Sequence, residues 1–185
     1  LQVGRFADVL TLEDVPVNQD SIKEQIMEAL KEATNHFSAS REKEGENLKT
    51  DILAKLEGMK ENVAFIEERY PSIVSEYRKK LEDKVAELLG DTNVDENRIA
   101  AEVVIYSDKI CVDEETVRLK SHIDGMRDEL LKGGNVGRKL DFIAQEMNRE
   151  ANTILSKAND IEVSDHAIDL KTEIEKIREQ VQNIE

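Results

Sequence analysis

Over residues 22–37 and again over 48–70 apolar side chains recur every three or four positions, and no proline interrupts 22–70. Ile22, Ile26, Leu30, Ala33 and Phe37 fall on one face, and Leu48, Ile52, Leu56, Met59, Val63, Ile66 and Tyr70 resume it. Phe37 and Leu48 are about three helical turns apart, so the stripe keeps its phase across the interval. A strand would need period two. This spacing is that of one long amphipathic helix over 21–70, capped by Asp20 or Ser21.

Pro71 is expected to stop that helix, and Ile73, Val74, Tyr77, Leu81, Val85, Leu88 and Leu89 mark a second one ending at Gly90. The two should fold back as a long antiparallel helical hairpin over 21–90, within a domain of residues 20–92. Asp95 can cap a third helix through Lys109, and Asp113 a fourth through Leu131, before Gly133-Gly134 breaks the chain. A fifth runs from near Gly137 to about Asn159, and a sixth follows Ser164 or Asp165. Residues 93–185 then make a small helical bundle, and the fold class is all-α. Only residues 6–12 look like a strand. Because the chain opens at Leu1 without a methionine and enters that segment at once, residues 1–19 read as the remnant of a missing N-terminal domain.

Charged residues make up 36% of the chain and aromatics 4%, with no Trp, which suits long solvated helices better than a core of large side chains. The net charge of -15 repels a polyphosphate at long range, so any nucleic-acid site has to be local. Cys111 is the single cysteine and cannot build a disulfide framework. No signal-like segment occurs, and the most apolar stretch, 103–106, is far short of the roughly 20 residues a membrane span needs. A cytoplasmic protein without membrane contact is expected. The sequence contains no GxxxxGK[ST], GxGxxG, paired-Cys zinc pattern or HExxH. The glycine-rich turn at 133–137 reads as a helix connector and matches no phosphate loop.

Polar residues break the pattern in four places. Arg41 and Glu44 fall where core residues of the first helix would otherwise continue. In the fifth helix, Leu140, Ile143, Ala144, Met147, Ala151, Ile154, Leu155 and Ala158 occupy an arc of about 120°. The opposite arc holds Arg138, Asp141, Gln145, Asn148, Arg149, Asn152, Ser156 and Asn159, while Glu146, Glu150 and Lys157 lie along one flank. Asn is a poor helix former, so several in mid-helix satisfy either a polar interhelical network or a ligand. Glu115, Arg118 and His122 share a face of the fourth helix, where a His between a cation and a carboxylate could shuttle a proton or simply be a surface residue. Glu146 and Glu150, four residues apart, could place two carboxylates on one divalent ion, although any acidic helix has such pairs.

Taken together, Gly137-Arg138-Lys139-Leu140-Asp141-Phe142, Gln145-Glu146-Met147-Asn148-Arg149-Glu150-Ala151-Asn152-Thr153-Ile154, Ser156-Lys157 and the segment from Ile177 to Glu185 resemble the C-terminal signature of the YicC/YloC family. Arg41 to Gly45, Glu102, Asp108-Lys109, Glu114-Glu115 and Arg118 to His122 fit the same family in order. One departure is Cys111, where many relatives carry Asp.

The resemblance implies a bacterial, stress-associated endoribonuclease that cuts single-stranded RNA internally. It implies assistance by a divalent metal, Mn²⁺ or Mg²⁺, assembly as a homo-oligomer such as a hexamer, and no DNA substrate. The resemblance does not itself assign roles; on the residues' own chemistry His122, Glu115, Arg118, Asp141, Glu146 and Glu150 are the catalytic candidates, with a metal held by some of Asp141, Glu146 and Glu150. Arg138, Lys139, Gln145, Asn148, Arg149, Asn152 and Lys157 are the RNA-binding candidates. His122 would be the acid or base, oriented by Glu115, acting with the metal or, without one, beside Arg118 to give a 2',3'-cyclic phosphate. The alternative from another class is a non-catalytic helical scaffold for oligomer contacts.

Overall fold

The computed structural model describes residues 18–89 and 96–184. The strand-like segment 6–12, the caps Asp95 and Gly90, and the remnant over 1–17 lie outside them. Among the described residues there is no strand. Five helices follow in order: α1 (Gln19–Leu89), α2 (Glu96–Ile110), α3 (Asp113–Lys132), α4 (Gly137–Lys157) and α5 (Ile161–Val181). None is long and apolar enough to cross a membrane.

The chain divides into two compact units, Leu1–Glu44 and Gly45–Glu185. The division falls where Arg41 and Glu44 interrupt the apolar stripe. In the first unit Asn18 immediately precedes α1 and its Oδ1 accepts from the Ser21 amide at 3.3 Å, so the cap is Asn18 and not Asp20 or Ser21. Its stripe stays in solvent: Ile22, Ile26, Leu30 and Phe37 are all exposed.

In the second unit the same stripe is covered. Ile52, Leu56, Met59, Val63 and Ile66 are buried in one core with Leu119, Ile123 and Met126 of α3, Leu140, Met147 and Ile154 of α4, and Leu170, Ile174 and Ile177 of α5. Each such side chain contributes about 1.5–3 kcal/mol by leaving water. Polar pairs at the rim give the directions. Lys60 reaches Asp124 and Lys120 reaches Glu67, while Asn62 bonds His166 and Arg69 reaches Asp160, so α1 runs antiparallel to both α3 and α5. With α4 antiparallel to its two neighbours, residues 45–74 complete an up-down four-helix arrangement.

The hairpin expected over 21–90 therefore does not form, and the core does not divide near residue 92. α1 runs straight through Pro71. An interior proline costs about 3 kcal/mol, because its nitrogen has no hydrogen to donate and its ring crowds the preceding turn. Here the ring faces solvent, Ile66 and Ile73 are buried on either side of it, and Arg69 spans the site to Glu76 with two hydrogen bonds of 2.6 and 3.1 Å. From the proline onward α1 pairs with α2 instead: Tyr70, just before it, donates to the Ser107 carbonyl, and past it the rings of Tyr77 and Tyr106 stack 3.6 Å apart.

The Gly133-Gly134 turn between α3 and α4 has φ values of 68° and 86°, a region open to glycine and strained for other residues. α5 starts earlier than the Ser164 or Asp165 caps suggested. Asp160 is its cap, accepting from the Val163 amide at 3.1 Å, and the Ser164 hydroxyl turns back to the Asp160 carbonyl. Val163 and Ala167 are buried, so the core stripe itself requires that extra turn.

Candidate active site

The α3/α4 seam carries most of the site candidates, and an antiparallel register fixes which of them face each other. Arg118 Nε lies 3.1 Å from Glu150 Oε1, and Lys139 at the other end of the seam reaches Glu129 at 2.8 Å. Stepping one turn from Arg118 toward the glycine turn, and one turn back from Glu150, places His122 opposite Glu146. His122 is half-buried and makes no hydrogen bond among the described residues.

One turn along, toward the Cys111 end of α3, the seam holds a charge network. Glu115 and Glu150 are the two buried carboxylates of the unit. Lys157 donates to Glu115 Oε1 at 2.9 Å and to the Cys111 carbonyl at 3.0 Å. Arg118 touches Glu114, Glu115 and Glu150 at once, and its side chain still keeps 46% of its surface in solvent. Burial pushes the Glu115 carboxyl up, but the Lys157 hydrogen bond, a backbone hydrogen bond and the charges of Lys157 and Arg118 outweigh it and hold the group below the usual carboxylate range. The Arg118 guanidinium is correspondingly held more firmly protonated, first by its bond to Glu150.

Several sequence expectations change here. Glu115 is committed to Lys157 and Arg118, so it does not orient His122. Lys157 is tied to Glu115 and the Cys111 carbonyl, while Lys139 pairs with Glu129 and keeps 60% of its side chain in solvent. Asp141 faces the other way: its carboxylate takes a hydrogen bond from Gln145 at 2.7 Å and one from Arg178 of α5 at 3.3 Å. The proposed ligands Asp141, Glu146 and Glu150 therefore do not gather, and no group of three or more His, Cys, Asp or Glu side chains suited to a metal occurs among the described residues. Glu150 is spent on Arg118. Those three residues do not fit a metal site within one chain.

The remaining candidates sort by position around α4. Asn148 lines a shallow groove with Leu155 and, from α5, Ile168, Lys171 and Thr172. Arg138, Arg149 and Asn152 are exposed on the outer face. Sequence reasoning missed Arg178, the partner of Asp141, and the Lys157–Glu115 pair; the second could have been found from the seam register once α3 and α4 were taken as antiparallel neighbours.

Residues 66–185, which include α2 to α5 and the part of α1 from Ile66 onward, match the family model described as "Endoribonuclease YicC-like, C-terminal". The chain belongs to the YicC-like family. Within it, a relative from Clostridioides difficile named "Probable endoribonuclease YicC" is 41% identical over 186 aligned residues, covering 100% of this chain and 64% of its own length. A Haemophilus influenzae relative of the same name is 34% identical over 166 residues, covering 90% of this chain and 57% of its own. The chain thus spans about three-fifths of the length of these curated YicC-like relatives. Every residue of the α3/α4 seam lies inside the region that defines the family.

Proposed function

We propose that this chain is the catalytic region of an endoribonuclease that cuts single-stranded RNA internally. The observation that supports the reading is the seam register of Arg118–Glu150 and Lys139–Glu129, from which His122 and Glu146 are inferred to face each other one turn from a partly exposed Arg118. The names of the YicC-like relatives support the same activity.

The chemistry follows from those three side chains. Glu146 takes the proton of a ribose 2'-hydroxyl, and the 2'-oxygen attacks the adjacent phosphorus. The bond from phosphorus to the 5'-oxygen breaks as protonated His122 gives its proton to the leaving oxygen, leaving a 2',3'-cyclic phosphate and a 5'-hydroxyl. Arg118, locked by Glu115 and Glu150, presents fixed positive charge to the phosphorane oxygens without reorganising. No step in this route passes through Asp141, Glu146 and Glu150 as a metal cage. Assistance by Mn²⁺ or Mg²⁺ remains part of the wider proposal, as do a cytoplasmic role in bacterial RNA turnover and stress response and assembly into an oligomer up to a hexamer. The exposed stripe Ile22, Ile26, Leu30 and Phe37 supports self-association.

The test is incubation of the full-length protein with end-labelled single-stranded RNA, in Mn²⁺ or in EDTA, followed by analysis of the new ends. Internal cuts bearing 2',3'-cyclic phosphates in both conditions support the route. Cleavage abolished by EDTA, with linear phosphate ends, would replace it by a metal-dependent hydrolysis. No cleavage in either condition would favour the scaffold reading, for which the saturated Glu115–Lys157–Arg118–Glu150 network is the specific argument.

A further inference from the structure

The outer face of α4, turned away from both α3 and α5, carries a feature that the cleavage chemistry does not use. Projected at 100° per residue, Arg138, Phe142, Gln145, Arg149, Asn152 and Ser156 form one ridge within an arc of about 80°. No carboxylate falls in that arc, although the chain has 41 acidic residues against 26 Lys and Arg. Arg138 makes no ion pair among the described residues, and the only one Arg149 makes is a 3.9 Å contact with Glu146. Most other basic residues of the seam are tied to carboxylates. Gln145 and Asn152 each donate to one helical neighbour, which leaves amide capacity unused.

Phe142 stands in the middle of this ridge with 62% of its surface exposed. A single exposed aromatic is ordinary. This one has Arg138 one turn before it, Gln145 one turn after it and Arg149 two turns after it, with no apolar neighbour on its own face. Arg138 and Arg149 are separated by about 16 Å along the helix axis, room for a short run of nucleotides between two phosphate contacts.

We infer that Phe142 is a base-stacking platform and that the ridge from Arg138 to Asn152 binds single-stranded RNA, with the two arginines on phosphates and the amides on base edges. This rests on the endoribonuclease reading for its ligand and adds a binding surface distinct from the seam. Charge complementarity selects RNA as the occupant: an acidic chain that leaves one face basic, amide-rich and aromatic matches a polyanion with exposed bases. An acidic face of a second copy would match the arginines as well, but not the unused amides and the exposed ring, which fit base edges and a base face.

The chain contains no tryptophan, so Phe142→Trp installs a single fluorescent reporter. It is titrated with a single-stranded oligoribonucleotide and with an abasic oligomer of the same length. Stacking predicts quenching by the first and little by the second. Phe142→Ala should weaken binding of the base-bearing strand by about fivefold or more, and Phe142→Tyr should restore it to within about twofold. Arg138→Ala and Arg149→Ala should each reduce the salt dependence of binding by about 0.7 in the log-log slope.

Unchanged affinity in Phe142→Ala, while the unaltered protein binds and cuts RNA, overturns the platform and leaves the endoribonuclease reading intact. A fall in oligomeric mass in Phe142→Ala, with an unquenched Trp in the other variant, assigns the ring to a protein interface and also overturns it. Failure of the unaltered protein both to bind and to cut RNA overturns the two together.

Discussion

The two long faces of α4 that lie outside the core both carry charged residues and have opposite fates. On the flank toward α3, Glu150 and Lys157 meet Arg118 and Glu115, and the charges close on one another. On the outer face, Arg138, Phe142 and Arg149 have almost nothing within the fold to meet. Charge alone does not separate a binding surface from a structural one. The separation comes from whether a neighbouring helix supplies a partner: α3 and α5 do so at the two edges of α4, and neither does so on its outer face.

The sharpest way to break this comparison is Lys157→Ala. It leaves Glu115, whose side chain keeps 8% of its surface in solvent, with Arg118 as its remaining cation. Urea denaturation should show a loss of about 2–3 kcal/mol, because an incompletely compensated charge is left buried. RNA affinity of the folded variant should stay close to that of the unaltered protein. A large loss of affinity at unchanged stability would return Lys157 to the RNA-binding set.

Acidification probes the same flank with a smaller effect. The folded Glu115 carboxyl is held below its ordinary value of 4.5, so its contribution to stability is present above that pH and is lost as pH falls through the folded value. Thermal melts from pH 6 downward should therefore decline more steeply below about pH 4.5 in the unaltered protein than in Glu115→Gln. Parallel curves would mean that the network does not hold Glu115 ionised.

Asp141→Asn should have the smallest effect. The carboxylate sits at the half-exposed α4/α5 edge with Gln145 and Arg178, where an ion pair is worth about 0–1 kcal/mol. Stability should change by no more than that, and cleavage should survive. A hundredfold loss of cleavage would show that Asp141 reaches the reacting groups after all, for example across an oligomer contact.

Much of this architecture was legible in the apolar spacing, since Ile52 to Ile66, Leu140 to Ile154 and Leu170 to Ile177 are buried on the faces their periods assign. Pro71 misled because its local penalty is set against a tertiary gain: Ile66 and Ile73 on both sides of it belong to one core. Asp160 was passed over because Ser164 and Asp165 are equally good capping residues, and only the burial of Val163 and Ala167 decides between them. The site was half legible. Glu115, Arg118, His122, Glu146 and Glu150 were singled out from the sequence, but their partners depend on the α3/α4 register, which no single helix contains. The metal triad could have been rejected earlier. Asp141 and Glu150 are nine residues apart, about two and a half turns, and so point to opposite sides of the helix.

The proposal that needs the most direct test is that His122 and Glu146 carry the chemistry, one turn from the Glu115–Lys157–Arg118–Glu150 network. The direct measurement is the single-turnover cleavage rate of full-length His122→Ala and Glu146→Ala on labelled single-stranded RNA, taken with a urea denaturation curve for each. The account predicts rates reduced by about a hundredfold or more, on the order of losing an acid or base, with stabilities within about 1 kcal/mol of the unaltered protein. Near-normal cleavage in both variants would contradict it, and most plainly if their stability or oligomeric state collapsed instead.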